Sequence, residues 1–276
     1  MKNIVKTAGI QMAPSLDRDE TLKRVEGLVT LASENGAQII SLPELFSLPW
    51  FPYKIDDAAF SLAEGEDGPT VSFVRDISEK TGTAIIAPIF EKAGDDYFNT
   101  AFVVEKGKIL GKYRKIHVPQ IPLWEERSYF KAGDLGFPVF KTSFATIGAL
   151  LCWDVFFPEA FRVLTLKGAE VVFAPTASAF LHSSAKWETA IQAASHANGI
   201  FVFRVNRTGK EEKQEFYGRS FCLGPDGEFV TKPAGAAEGV ILADMDLNAI
   251  NEVRNVWLFL KDRRPENYKE IIKAKK

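Results

Sequence analysis

Gly168-Ala169-Glu170-Val171-Val172-Phe173-Ala174-Pro175 decides how this chain folds, because the same grammar stands earlier at Gly36-Ala37-Gln38-Ile39-Ile40-Ser41-Leu42-Pro43. Each stretch reads as a glycine that ends a helix, an alanine, a polar residue, a short apolar strand and a closing proline. A helical pattern precedes each one: Leu22, Val25, Leu28, Leu31 and Ala32 before the first, and Phe161, Val163, Leu164 and Leu166 before the second. The two stretches lie 132 residues apart, from 36 to 168, about half of the 276-residue chain, which implies two related βαβ halves. Further strands are expected over 84–90, 99–105, 108–113, 200–206 and 239–246, and further helices over 69–80 and 185–198. Lys106-Gly107 reads as a hairpin turn that adds antiparallel character. Alternating strands and helices with a duplicated sheet predict an α/β fold of two sheets packed face to face, with helices outside.

With 46% hydrophobic and 25% charged residues the chain belongs to the ordinary globular class, and no linker or low-complexity tract divides it. One domain over 1–276 is expected. A net charge of -2 offers no basic field for nucleic acid or an anionic membrane, although 269–276 is locally basic and reads as a solvated end. The start, Met1-Lys2-Asn3-Ile4-Val5-Lys6, has no apolar run of signal-peptide length, and no run in the chain is long enough to span a bilayer, so a cytoplasmic location is expected. Neither Cys152 nor Cys222 belongs to a zinc-like pair, and His117, His182 and His196 are scattered without ligand spacing. No metal and no cofactor are expected. Cys222, in Ser220-Phe221-Cys222-Leu223, reads as a packed strand residue.

Three strand exits carry the chemistry. Cys152 ends the apolar run Ile147-Gly148-Ala149-Leu150-Leu151, and Pro158 suits the first turn of a following helix, so the thiol lies in a strand-to-helix turn, where open α/β sheets place ligands. The alternative is a buried core cysteine. Glu44 follows the strand of the first repeat, where a charge is costly unless something requires it, and is a candidate general base. In Lys112-Tyr113-Arg114-Lys115-Ile116-His117, alternation puts Lys115 on the face of Tyr113 and Arg114 on the other. The stretch 115–137 has no periodicity, and so long a loop in a compact fold is usually functional.

These motifs, Leu42-Pro43-Glu44, Tyr113-Arg114-Lys115-Ile116-His117 and Cys152-Trp153-Asp154 with Pro158-Glu159, together with the late Asn206-Arg207-Thr208-Gly209, resemble those of the nitrilase or carbon-nitrogen hydrolase superfamily over nearly the whole chain. The resemblance implies a four-layer αββα sandwich with internal pseudo-symmetry and a Glu-Lys-Cys triad of Glu44, Lys115 and Cys152. It also implies a second carboxylate between the Lys and the Cys, assigned to Glu126 with Glu125 as fallback, whose role is to position Lys115 or water. The chemistry fits. Moving a proton from a thiol to a carboxylate is uphill by about four pKa units, roughly 5.7 kcal/mol, from reference values. Burial of the base and the Lys115 ammonium beside the sulfur both act to close that gap. Lys115 and the Trp153 N–H would then stabilise the oxyanion.

Around Cys152 the resemblance is to the N-carbamoylputrescine amidase branch, as is the ending Asp262-Arg263-Arg264-Pro265-Glu266-Asn267-Tyr268, though Val155 stands where that branch carries Gln. Phe156 occupies the place where relatives acting on carboxylate-bearing substrates carry Arg, which argues against a carboxylate at the substrate's far end. Trp50, Phe51, Tyr53, Trp124 and Trp153 are candidates to line the pocket, and His182 to touch substrate. An aliphatic amide or a nitrile is the alternative substrate. A non-catalytic scaffold and a redox-sensing thiol are the readings from other classes, the latter lacking a resolving cysteine nearby. The apolar run Val256-Trp257-Leu258-Phe259-Leu260 predicts a homo-oligomer with 250–276 at a subunit interface.

Overall fold

The structure, a computed structural model, describes residues 3–273. Met1 and Lys2, from the start read above, and Ala274 to Lys276 of the basic end lie outside the described residues. In chain order the elements are β1 (Ile4–Gln11), α1 (Arg18–Glu34), β2 (Ile39–Ser41), α2 (Pro69–Thr81), β3 (Ala84–Ala93), β4 (Asp96–Glu105) and β5 (Lys108–Arg114). The second half brings β6 (Val139–Lys141), β7 (Thr146–Ala149), α3 (Pro158–Leu166), β8 (Val171–Thr176), α4 (Ser184–Asn198) and β9 (Phe201–Asn206). There follow β10 (Thr208–Glu211), β11 (Gln214–Tyr217), β12 (Phe221–Leu223), β13 (Phe229–Thr231), β14 (Gly239–Asp246) and α5 (Asn248–Val256).

Two six-stranded sheets repeat one plan. The first has the order β14-β1-β2-β3-β4-β5 and the second, read from its other end, β6-β7-β8-β9-β12-β13. In each, three central strands are parallel and the flanking pairs antiparallel. Helices join the parallel strands, α1 and α2 in the first half, α3 and α4 in the second. The repeat read in the sequence is therefore the α1-β2 and α3-β8 junctions, and both of its glycines take left-handed backbone, with φ of 87° at Gly36 and 93° at Gly168.

Strand alternation sorts the core. Ile39, Ile86 and Val103 point to the second sheet, where they meet Ile147, Phe173 and Val205. Ile40, Ile85 and Val104 point the other way, onto Val25 and Val29 of α1 and Val74 and Ile77 of α2. Helix, sheet, sheet and helix thus stack as an αββα sandwich. The sheets come close together at Gly9, where a Cβ would fall 2.8 Å from Val205 Cγ2 and 2.9 Å from Phe203 Cε2. A third cluster, built on Trp50, Phe51, Phe90, Trp124 and Phe130, closes one end of the sheets. The long segment after β5 supplies part of it, so the stretch without periodicity is ordered by aromatic packing instead of by repeating secondary structure. Cys222 is fully buried in β12. Among the described residues no helix is long and apolar enough to cross a membrane.

Candidate active site

Glu44 lies in the tight turn after β2, fully buried, and the next residue, Leu45, is held at φ 50°. The clamp on this turn is Arg207, just past β9. Its guanidinium donates to Leu48 O at 2.8 Å and toward Glu44 O at 3.4 Å, and Glu211, at 2.9 Å, balances its charge. Lys115 leaves β5 with its N–H bonded to Asn99 O at 2.9 Å and its carbonyl to Gly133 N at 2.8 Å. A Cβ on Gly133 would sit 2.0 Å from the Arg114 carbonyl oxygen, so only glycine allows this crossing. Cys152 follows β7 at φ 50°, a strained elbow before the turn that leads to Pro158 and α3.

These three exits converge. Lys115 Nζ donates to Glu44 Oε1 at 2.8 Å and to Glu126 Oε2 at 2.6 Å, and Asn99 Nδ2 donates to Glu44 Oε1 at 2.9 Å. All three charged side chains are fully buried. Glu44 Oε2 and Glu126 Oε1 have no partner in the protein. An ammonium carries three protons, so Lys115 keeps one beyond its two carboxylate bonds. Asp154 ties the elbow to β5. It accepts from Tyr113 OH at 2.8 Å, His117 N at 3.0 Å and Leu151 N at 2.9 Å, and lies 2.7 Å from His117 Nδ1. Of the two candidate carboxylates, Glu126 reaches Lys115, while Glu125 bonds Gln120 at the surface.

Burial pushes the Cys152 thiol well above its ordinary pKa, and the Glu44 and Glu126 charges push the same way, against Lys115 and the Ala177 N–H. The lysine thus acts in the expected direction but is outweighed. Burial, seconded by the charge of Glu44, raises Glu126 to about 8 against the pull of Lys115. Burial works against the charge on Lys115, yet Glu126 and Glu44 hold its pKa above the usual lysine value.

A cavity of about 340 Å³ opens above the thiol, walled by Trp124, Trp153, Phe156 and Trp187. Trp124, Trp153 and Phe156 are thus at the site. Tyr53 and His182 are not in its lining: Tyr53 packs beside the aromatic cluster, and His182 is exposed with its ring 5.6 Å from that of Phe180. Trp50 and Phe51 are core of that cluster. The sequence reading gave no role to Asn99, Asp154 or Arg207. Their one signal is a polar side chain inside or beside an apolar strand, where burial demands a partner. Among the described residues no group of three or more His, Cys, Asp or Glu could hold a metal ion.

The profile of the family described as Carbon-nitrogen hydrolase matches residues 6–255. The chain belongs to the carbon-nitrogen hydrolase family. Among its relatives in that family, the N-carbamoylputrescine amidase of Solanum lycopersicum is 36% identical over 98% of this chain and 95% of that protein. A carbon-nitrogen hydrolase from Helicobacter pylori G27 superposes with a TM-score of 0.94 at 33% identity, covering 98% of this chain and 99% of that one. A mutant amidase from Nesterenkonia sp. AN1, with the acetamide moiety of fluoroacetamide added covalently at its active-site cysteine, superposes with a TM-score of 0.83. Its identity is 26%, over 98% of this chain and 97% of that one.

Proposed function

We propose that this carbon-nitrogen hydrolase uses Cys152 as nucleophile, Glu44 as general base and acid, Lys115 as oxyanion donor and Glu126 to position Lys115 and water. The observation that carries the reading is the pair of unpartnered carboxylate oxygens flanking a lysine with one uncommitted proton, next to the thiol at the floor of an apolar cavity. Glu44 takes the Sγ proton as sulfur attacks the carbonyl carbon. Lys115 and the Trp153 N–H stabilise the tetrahedral oxyanion, and its collapse breaks the C–N bond as Glu44 returns the proton to nitrogen, which leaves as ammonia or amine. Water, deprotonated by the same carboxylate, then hydrolyses the thioester. Because burial holds the thiol pKa up, proton removal accompanies attack.

An N-carbamoyl amine is the first substrate class, supported by the identity to N-carbamoylputrescine amidases. A small aliphatic amide is the second, supported by the apolar walls, with a nitrile as the remaining family alternative. We read residues 1–276 as one domain in a cytoplasmic homo-oligomer with 250–276 at the subunit interface. The interface is supported by Trp257 and Phe259, which are 50% and 39% exposed although both rings also pack on His196. Ammonia release over carbamoyl amines, amides and nitriles, with Cys152→Ala alongside, tests the reading. Release that disappears in the variant supports it, and silence from folded wild type across all classes favours a non-catalytic scaffold.

A further inference from the structure

The cavity has a charge asymmetry that bears on the end of the substrate away from the scissile bond. Among its lining residues no Asp or Glu occurs, and the only charged side chain is Lys186, exposed at the rim in the first turn of α4. Lys186 makes no ion pair among the described residues, and the nearest carboxylate on its helix, Glu188, is held by Arg219 at 2.7 Å. A second cation stands behind the wall. Arg204, fully buried over the Trp187 ring, donates to Tyr217 OH at 3.0 Å, and Tyr217 OH lies 2.9 Å from Ser178 Oγ. Either hydroxyl can donate in the Tyr217–Ser178 pair; with Tyr217, which already accepts from Arg204, as the donor, the Ser178 proton is free for a ligand in the cavity wall. No carboxylate bonds Arg204, and its Nε has no partner. The wall away from the thiol therefore offers one cation and one hydroxyl, with a second cation behind it, and no carboxylate lines that wall to pair with an ammonium.

We propose that the substrate carries a carboxylate at its far end, bound by Lys186 and the Ser178 hydroxyl with Arg204 polarising the latter through Tyr217. Lys186 and Ser178 are then specificity-determining residues. The inference rests on the reading of Cys152 as the attacking group, which makes this cavity the substrate's, and it departs from an N-carbamoylputrescine-like tail. It also revises the argument from Phe156: the cation missing beside the elbow is supplied from α4.

Three ureas that differ only in the tail test it: N-carbamoyl-4-aminobutyrate, N-butylurea and N-carbamoylputrescine. Calorimetric binding to Cys152→Ala and ammonia release by wild type are measured separately. The carboxylate compound is expected to bind at least ~10-fold tighter than the ammonium compound, with the neutral one between, and Lys186→Glu is expected to reverse the order. Ser178→Ala should narrow the carboxylate preference without reversing it. Equal or ammonium-favouring binding, or a ranking that both variants leave untouched, overturns the proposal. Carboxylate-selective binding without turnover would keep the tail assignment and sink the hydrolytic reading. Turnover that favours the ammonium tail would do the opposite.

Discussion

Arg114 and Lys115 are neighbours at the end of β5, both buried, and each holds two carboxylates, yet the clusters they build differ in kind. On the Arg114 side, Glu91 is saturated. Its Oε1 accepts from Arg114 Nη2 at 2.9 Å and Lys112 Nζ at 2.8 Å, and its Oε2 from Arg114 Nε at 2.8 Å and Thr100 Oγ1 at 2.6 Å. Burial opposes the Glu91 charge, but these donors prevail and hold its pKa down at about 2. On the Lys115 side the carboxylates share one ammonium, each retains a bare oxygen, and Glu126 is driven up instead. A filled ion pair holds structure. An under-filled one has acceptors left over for a thiol proton, a leaving amine or water.

The strongest way to break this contrast is to neutralise one carboxylate on each side. Glu44→Gln should lower kcat/KM by about 10³-fold, as loss of a general base does, with a melting temperature near wild type. Glu91→Gln should do the reverse, costing about 3 kcal/mol, or roughly 6–12 °C in Tm, while kcat per folded molecule stays within about threefold. Comparable activity losses in both would erase the distinction.

The two clusters should also respond to pH with opposite sign. Glu91 has a depressed pKa when folded, so its contribution is present above the unfolded carboxyl value near 4.5 and is lost as pH falls toward about 2. Glu126 has a raised one, so the folded state holds a proton that the unfolded state releases. Stability from this group therefore declines as pH rises from about 4.5 to about 8. Melting curves against pH should show Glu91→Gln losing the acid-side slope and Glu126→Gln losing the neutral-side one; identical slopes in both variants would contradict the assignment. The smallest effect belongs to Asp134, which bonds Arg114 from the surface with its side chain 57% exposed. Asp134→Asn should cost under about 1 kcal/mol, read as a shift in denaturant midpoint.

Much of the site was legible because each of its three main residues stands at the exit of a strand. Period-two alternation separates Lys115 from Arg114, and the structure gives them different partners. The carboxylate that lies eleven residues beyond Lys115 was reached by resemblance, since the loop carrying it has no period to read. Asn99, Asp154 and Arg207 escaped as actors because their partners are 55, 41 and 163 positions away, as with Asn99 on Glu44, Tyr113 on Asp154 and Arg207 on the Glu44 carbonyl. Phe156 is one position along the chain, whereas the cavity also draws Lys186 from thirty residues further on.

By itself the sequence determined the two βαβ halves and the strand exits that carry Glu44, Lys115 and Cys152, because periodicity, capping glycines and turn prolines act over a few neighbouring residues. The tertiary structure alone decided which carboxylate oxygens are left bare, that burial drives the Cys152 thiol pKa up, and which charge lines the cavity. Those depend on burial and on partners brought together from distant segments, and the energy of a buried charge is set by what surrounds it in space.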